Sequence, residues 1–144
     1  MRISIIGQAG IFARLYIPLF LERVSAGFPS PAQDFIEKTL DINELCIQHP
    51  AATFFVRVAG NSMIEAGIFP GDILVVDRSI QARHGDVVIA VLDGEFTVKE
   101  LALNPTIKLL PRNAAYSAIE LGDDSALEVF GVVTRSIRDI RAQR

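Results

Sequence analysis

The feature that most constrains this chain is a hairpin spelled out in two apolar runs. Asp86-Val87-Val88-Ile89-Ala90-Val91-Leu92 leads into Asp93-Gly94, and Glu95-Phe96-Thr97-Val98-Lys99-Glu100-Leu101 returns. An Asp-Gly loop accepts left-handed backbone at both centres, which matches the twist of two paired strands. The β-branched residues on either side crowd a helix but fit a pleated surface. The same grammar recurs along the chain. Residues 53–58 are β-branched and aromatic, 73–77 follow a Phe69-Pro70-Gly71-Asp72 turn, and 106–110 and 127–134 read as further strands. Short strands at this spacing predict a mainly β, barrel-like domain. There is no internal repeat and no alternation of strand and helix.

Composition narrows the function classes. Of 144 residues, 50% are hydrophobic and 22% charged, which suits one packed core and excludes a disordered tail. The net charge is -3 and the pI is near 5.3, so direct sequence-specific DNA binding is not expected of it. The one cysteine, Cys46, can form neither an internal disulfide nor a metal cage. That points to a reducing, cytoplasmic compartment and to a small buried hydrophobe. His49 and His84 lack ligands at metal spacing, so neither a metal nor a cofactor is expected.

The amino-terminal region reads differently. Residues 3–21 are apolar, yet Gln8, Arg14 and Pro18 interrupt any membrane span. A secretory signal is the better rival, with Arg2 as its basic start and Val24-Ser25-Ala26 as a small-residue cleavage site. Arg14 inside the apolar region, and Glu22 and Arg23 beside the site, argue against it. The Ala26–Gly27 bond carries minimal side chains, so its backbone can lie close against a nucleophile. Gly27-Phe28-Pro29-Ser30-Pro31 is an extended connector. Ser30-Pro31 would cap a helix over residues 32–40. The expected organisation is an arm over 1–40 and a β domain over 41–144. At the other end Arg135, Arg138, Arg141 and Arg144 fall three apart, as a basic helical edge or, more plainly, a solvated tail.

Two places could carry chemistry. Gly60-Asn61-Ser62-Met63 follows a strand, and Ile64-Glu65-Ala66 looks like one helical turn. A serine there lies near backbone N–H groups of the kind an oxyanion needs. The plainer reading is that Ser62 caps the turn. No G-x-S-x-G elbow is present, which weakens a Ser-His-Asp triad through His84. Lys99 lies within the returning strand, on one face with Thr97 and Leu101. A strand lysine usually faces solvent. If it points at Ser62 instead, it can act as general base in a Ser-Lys dyad. Moving its pKa from about 10.4 to about 7 takes about 4–5 kcal/mol of bias against the charged form, which burial can supply.

These residues carry a resemblance. The segments Ala26-Gly27-Phe28-Pro29-Ser30-Pro31, Gly60-Asn61-Ser62-Met63, Gly71-Asp72, His84-Gly85-Asp86 and Asp93-Gly94-Glu95-Phe96-Thr97-Val98-Lys99 occur in that order. Pro111-Arg112-Asn113 with Tyr116, and Val129-Phe130-Gly131-Val132-Val133, follow. The chain resembles the UmuD-type proteins, relatives of the LexA repressors and the self-cleaving phage repressors. The resemblance implies a β-rich protease fold shared with type I signal peptidases, with an extended amino-terminal arm. It implies Ser62 as nucleophile, Lys99 as base and Ala26–Gly27 as the bond the protein cuts in itself. The N–H of Ser62, with Asn61, would hold the oxyanion. The stretch before Ala26 is too short for a helix-turn-helix reader, so the protease module is expected without one. The resemblance further implies a homodimer in the SOS response whose cleavage is stimulated by the RecA–single-stranded-DNA filament. The shortened form would join a UmuC-like Y-family DNA polymerase subunit in translesion synthesis, with polymerase III components as further partners and no membrane. Two rival functions are a signal-peptidase-like processing enzyme and a non-enzymatic interaction module in which Ser62 and Lys99 are structural.

Overall fold

The structure is a computed structural model, and it describes residues 2–8, 16–20, 36–121 and 127–141. Along the chain run β1 (Arg2–Gln8), β2 (Tyr16–Phe20), β3 (Ile36–Asp41), a short helix α1 (Ile42–Cys46), β4 (Thr53–Ala59), β5 (Ile73–Asp77), β6 (Val87–Leu92), β7 (Glu95–Ala102), β8 (Lys108–Leu110), β9 (Ile119–Glu120) and β10 (Leu127–Ile137). Single 3₁₀ turns lie at Pro50–Ala52 and Ile64–Ala66. Among the described residues, eight strands form one antiparallel sheet in the order β1-β4-β5-β10-β6-β7-β8-β9, and β2 and β3 pair separately. The mainly β fold is therefore the one the sequence leads to.

The β6–β7 hairpin forms in the expected register, with Leu92 opposite Glu95. Asp93 (φ 50°) and Gly94 (φ 83°) both adopt left-handed backbone in the loop, as this hairpin class requires. The long strand β10 lies between β5 and β6 and carries a register shift toward each. Bulges bend a strand and increase its twist, and the sheet curls until β1 approaches β7. Because of the curl, both faces of the central strands are covered. Val56, Val58, Met63, Ile68, Leu74, Val76, Ile89 and Val98 form one core cluster. Val88, Ala90, Leu101, Leu109 and Val132 form a second. Alternation along β6 sends Val88 and Ala90 to one side and Ile89 to the other.

Three expectations need correction. Within the helix expected over residues 32–40, Ile36–Asp41 is strand β3, and 32–35 lie outside the described residues. Helix begins only at Ile42, where the Asp41 side chain accepts from the Asn43 N–H at 3.0 Å. Thr106 and Ile107 precede strand β8 and are not in it. Of the basic carboxy-terminal run, Arg144 lies outside the described residues, and Arg135 and Arg138 are on neither a helical edge nor an idle tail. Arg135 lies within β10, and Arg138, just past the strand, pairs with the buried Asp72 at 2.8 Å.

Candidate active site

β4 ends at Ala59, and Gly60 turns the chain with a φ of 101°, a conformation a residue with a Cβ adopts only at a cost. Asn61 and Ser62 follow, and Met63 drops into the core with no exposed surface. The chain then makes the Ile64–Ala66 turn and returns beside its starting point. Gly71 N–H donates to the Val58 carbonyl at 2.8 Å and Val58 N–H to the Asp72 carbonyl at 2.9 Å. Residues 60–72 are thus a closed loop hung from the end of β4. The first residue of the 3₁₀ turn follows Met63 at its N-cap, and no side chain caps it. The N-cap of this turn is therefore Met63 and not Ser62.

Lys99 comes to the same place along β7, directly opposite Val88 of β6. Ser62 is 1% exposed and Lys99 6%. The Lys99 Nζ lies 3.3 Å from Ser62 Oγ, 2.8 Å from Thr97 Oγ1 and 3.1 Å from the Val98 carbonyl oxygen. Burial pushes the Lys99 amine below the ordinary lysine range. A neutral amine has two N–H donors and one lone pair. Here Val98 can only accept, Thr97 is the nearer of the two hydroxyls, and the remaining direction meets Ser62. Such an arrangement lets the amine take the serine proton. Thr97 was placed on the Lys99 face by alternation, but its role as acceptor was missed; an i, i+2 polar neighbour in the strand was the signal available.

Lys99 also lines a cleft of about 300 Å³. Leu92, Glu95, Phe96, Thr97 and Lys99 of the hairpin line one side, and Tyr116, Ser117 and Ile119 the other. The exposed Asn61 stands at its edge: its side-chain oxygen accepts from the Tyr116 hydroxyl at 2.7 Å, and its carbonyl from Asn113 Nδ2 at 2.9 Å. Ala26 and Gly27 lie outside the described residues. The remaining candidates sit elsewhere. Cys46 is half-buried at the end of α1. His49 Nδ1 meets the Asp77 carboxylate at 2.5 Å, and His84 Nδ1 accepts from the Leu103 N–H at 2.9 Å. Among the described residues no cluster of three or more metal-ligating side chains occurs, and no helix is long and apolar enough to cross a membrane.

A buried serine in the loop after β4, and within reach of it a sunken lysine that lines an open cleft from a curled antiparallel sheet, suit a peptidase-like domain. The family described as Peptidase S24-like matches residues 18–134. The chain is 54% identical over 125 residues to Protein SamA of Salmonella typhimurium, covering 87% of each protein. It is 44% identical over 138 residues to Protein MucA of Escherichia coli, covering 95% of this chain and 94% of that one. To the LexA repressor of Alcanivorax borkumensis it is 40% identical over 119 residues, 81% of this chain and 57% of the repressor. The chain belongs to the peptidase S24 family of serine peptidases, among its UmuD-type members.

Proposed function

We propose that the protein is a self-cleaving Ser-Lys peptidase of the SOS response that cuts its own Ala26–Gly27 bond. The observation that carries this reading is the Lys99 amine, buried and 3.3 Å from Ser62 Oγ, at the wall of an open cleft. The arm would lie extended in that cleft, pairing backbone with a strand edge. Ser62 Oγ attacks the Ala26 carbonyl carbon while Lys99 Nζ takes its proton. The backbone N–H of Ser62, with that of Asn61, faces the developing oxyanion. Collapse of the tetrahedral intermediate breaks the C–N bond, and Lys99 returns the proton to the Gly27 amine. Water then hydrolyses the Ala26 ester on Ser62 by the same proton route. A bond held in its own cleft reacts as a unimolecular substrate, which favours self-cleavage over general proteolysis.

When the docked arm is a minor state, cleavage is slow by that fraction. A RecA–single-stranded-DNA filament that favours docking speeds it. The shortened chain, as a homodimer, then serves as accessory subunit of a UmuC-like Y-family polymerase. Loss of the arm removes Arg2, Arg14 and Arg23 against Glu22 alone, leaving a more acidic body.

Mass spectrometry of the purified chain, at alkaline pH and with or without the filament, tests the reading. It should reveal fragments ending at Ala26 and beginning at Gly27, formed at a rate independent of protein concentration if the arm acts on its own subunit. Neither fragment should form in Ser62→Ala or Lys99→Ala. Cleavage that survives either substitution overturns the dyad.

A further inference from the structure

The segment Arg112–Tyr116 takes no part in the chemistry just described, yet it touches both halves of the site. Arg112 N–H donates to the Ser62 carbonyl at 2.8 Å, and Glu65 N–H donates back to the Arg112 carbonyl at 2.8 Å. Asn113 Nδ2 holds the Asn61 carbonyl at 2.9 Å, and the Glu65 carboxylate accepts from Ala114 N–H at 3.1 Å. The Tyr116 hydroxyl holds the Asn61 side chain at 2.7 Å. On its other side the Arg112 guanidinium forms a two-pronged ion pair with Glu100, the residue after Lys99.

The covalent path is as short as the contacts are dense. Glu100 of β7 is paired with Leu110 of β8. Only Pro111 then separates that ladder from Arg112 and its bond to Ser62. Proline fixes φ, so the link is stiff. Ser62 and Lys99 are therefore joined by a closed circuit. It runs Lys99, Glu100, the β7–β8 ladder, Pro111, Arg112, Ser62. The Arg112–Glu100 pair braces it, and a guanidinium fork fixes angle as well as distance.

We propose that residues 111–113 are a positioning strap that sets how far Ser62 Oγ stands from the Lys99 amine, with Arg112 its principal residue. The proposal rests on the Ser-Lys reading and adds to it a determinant that touches neither the reacting bond nor the cleft floor. Its loss differs in kind from a loss of Lys99 burial. Moving Ser62 lowers the rate at every pH, whereas re-solvating Lys99 moves the pH at which the rate rises.

The experiment uses the full chain and an organofluorophosphonate, which reports Ser62 nucleophilicity without needing the arm to dock. Labelling is followed by mass spectrometry across pH, with folding checked by thermal melts. In the unaltered chain labelling should rise with pH to a plateau and vanish in Ser62→Ala and Lys99→Ala. In Arg112→Gln the plateau should fall by about 10- to 100-fold, the scale of an ångström-sized misplacement, with its midpoint unmoved. Arg112→Lys, which keeps the charge and loses the fork, should recover only part of the loss. If Arg112→Gln does not fold, Asn113→Ala is read in the same way, with a smaller fall. A folded variant that labels at the unaltered rate, or one whose midpoint moves while the plateau holds, overturns the strap. An unaltered chain that does not label overturns the dyad, and the strap's role with it.

Discussion

The two halves of the site are held in place by different physics. Lys99 sits in a regular ladder: β7 pairs with β6 from Glu95 to Glu100 and with β8 at Glu100, Leu101 and Ala102. Its position is over-determined by main-chain hydrogen bonds that no single side chain provides. Ser62 sits in a loop that no ladder supports. It is fixed by two apolar anchors, Met63 and Ile68, and by hydrogen bonds from residues far along the chain. The lysine side is redundant and the serine side is sparse. Sequence changes of equal size should therefore act unequally on the two.

The largest effect separates chemistry from architecture on the redundant side. Lys99→Met keeps the chain length and removes a buried amine. Removing half of the dyad should lower self-cleavage by about 10⁴-fold or more. The ladder should not register the change, because an apolar side chain in a buried polar position is often neutral or stabilising. Fragment formation and a thermal melt, measured together, decide the matter. The expected pair of results is no cleavage and a melting temperature at or above that of the unaltered chain. The gain should be greatest on the acid side of the lowered pKa and shrink as pH rises. A lysine whose folded pKa lies below its unfolded value destabilises the fold while it must carry charge, and that burden is relieved as pH rises through the lowered pKa toward about 10.4.

Much of this contrast was legible in the sequence. Asp93-Gly94 and the alternating runs around it specify the hairpin, the face of Lys99 and its neighbours Thr97 and Leu101, because strand register is local information. Gly60 and the short turn after Ser62 likewise mark the loop. Links that cross the chain leave no periodic trace. Arg138 reaches Asp72 across 66 positions, and Asn113 reaches Asn61 across 52. The Pro111-Arg112-Asn113 and Tyr116 pattern carried a family resemblance without showing what it touches. The misread segment over 32–40 has its own cause. Residues four apart, such as Ile36 and Leu40, share a face in a helix and also in a strand, so spacing could not discriminate, and the Ser-Pro cap tipped the choice toward helix.

A matched pair of core truncations sharpens the contrast. Met63 and Val98 are both fully buried, and in the same cluster, one in the loop and one in the ladder. Met63→Ala should cost about 2–5 kcal/mol and Val98→Ala about 1.5–3 kcal/mol, read from denaturant midpoints. The decisive comparison is at equal residual stability. There Met63→Ala should also slow Ser62 labelling, since the loop loses the anchor next to the serine, while Val98→Ala should leave the rate of the folded fraction unchanged. Equal slowing in both would mean that the serine side is no more sparsely held than the lysine side.

The smallest effect concerns the base of the serine loop and is read through pH. Asp72 has no exposed surface and takes hydrogen bonds from Arg138 at 2.8 and 2.9 Å and from the Phe69 N–H at 2.9 Å. Arg138 also covers the Phe69 ring, 4.0 Å from its centroid, and donates to the Gly67 carbonyl at 2.6 Å. Burial alone would raise the Asp72 pKa; the hydrogen bonds from Arg138 and Phe69, with the Arg138 charge, outweigh it and hold the carboxyl below the usual range. A depressed carboxylate contributes stability above its unfolded pKa of about 3.9, and loses it as pH falls through the folded value. In Arg138→Met burial is opposed by the Phe69 N–H alone, so the folded pKa rises. The variant should melt a few degrees lower than the unaltered chain at pH 7, and the gap should close as pH falls through the lowered pKa that Asp72 has in the unaltered fold. A gap that stays constant with pH would assign the loss to the Phe69 and Gly67 contacts, and would take the buried carboxylate out of the device that holds the serine loop.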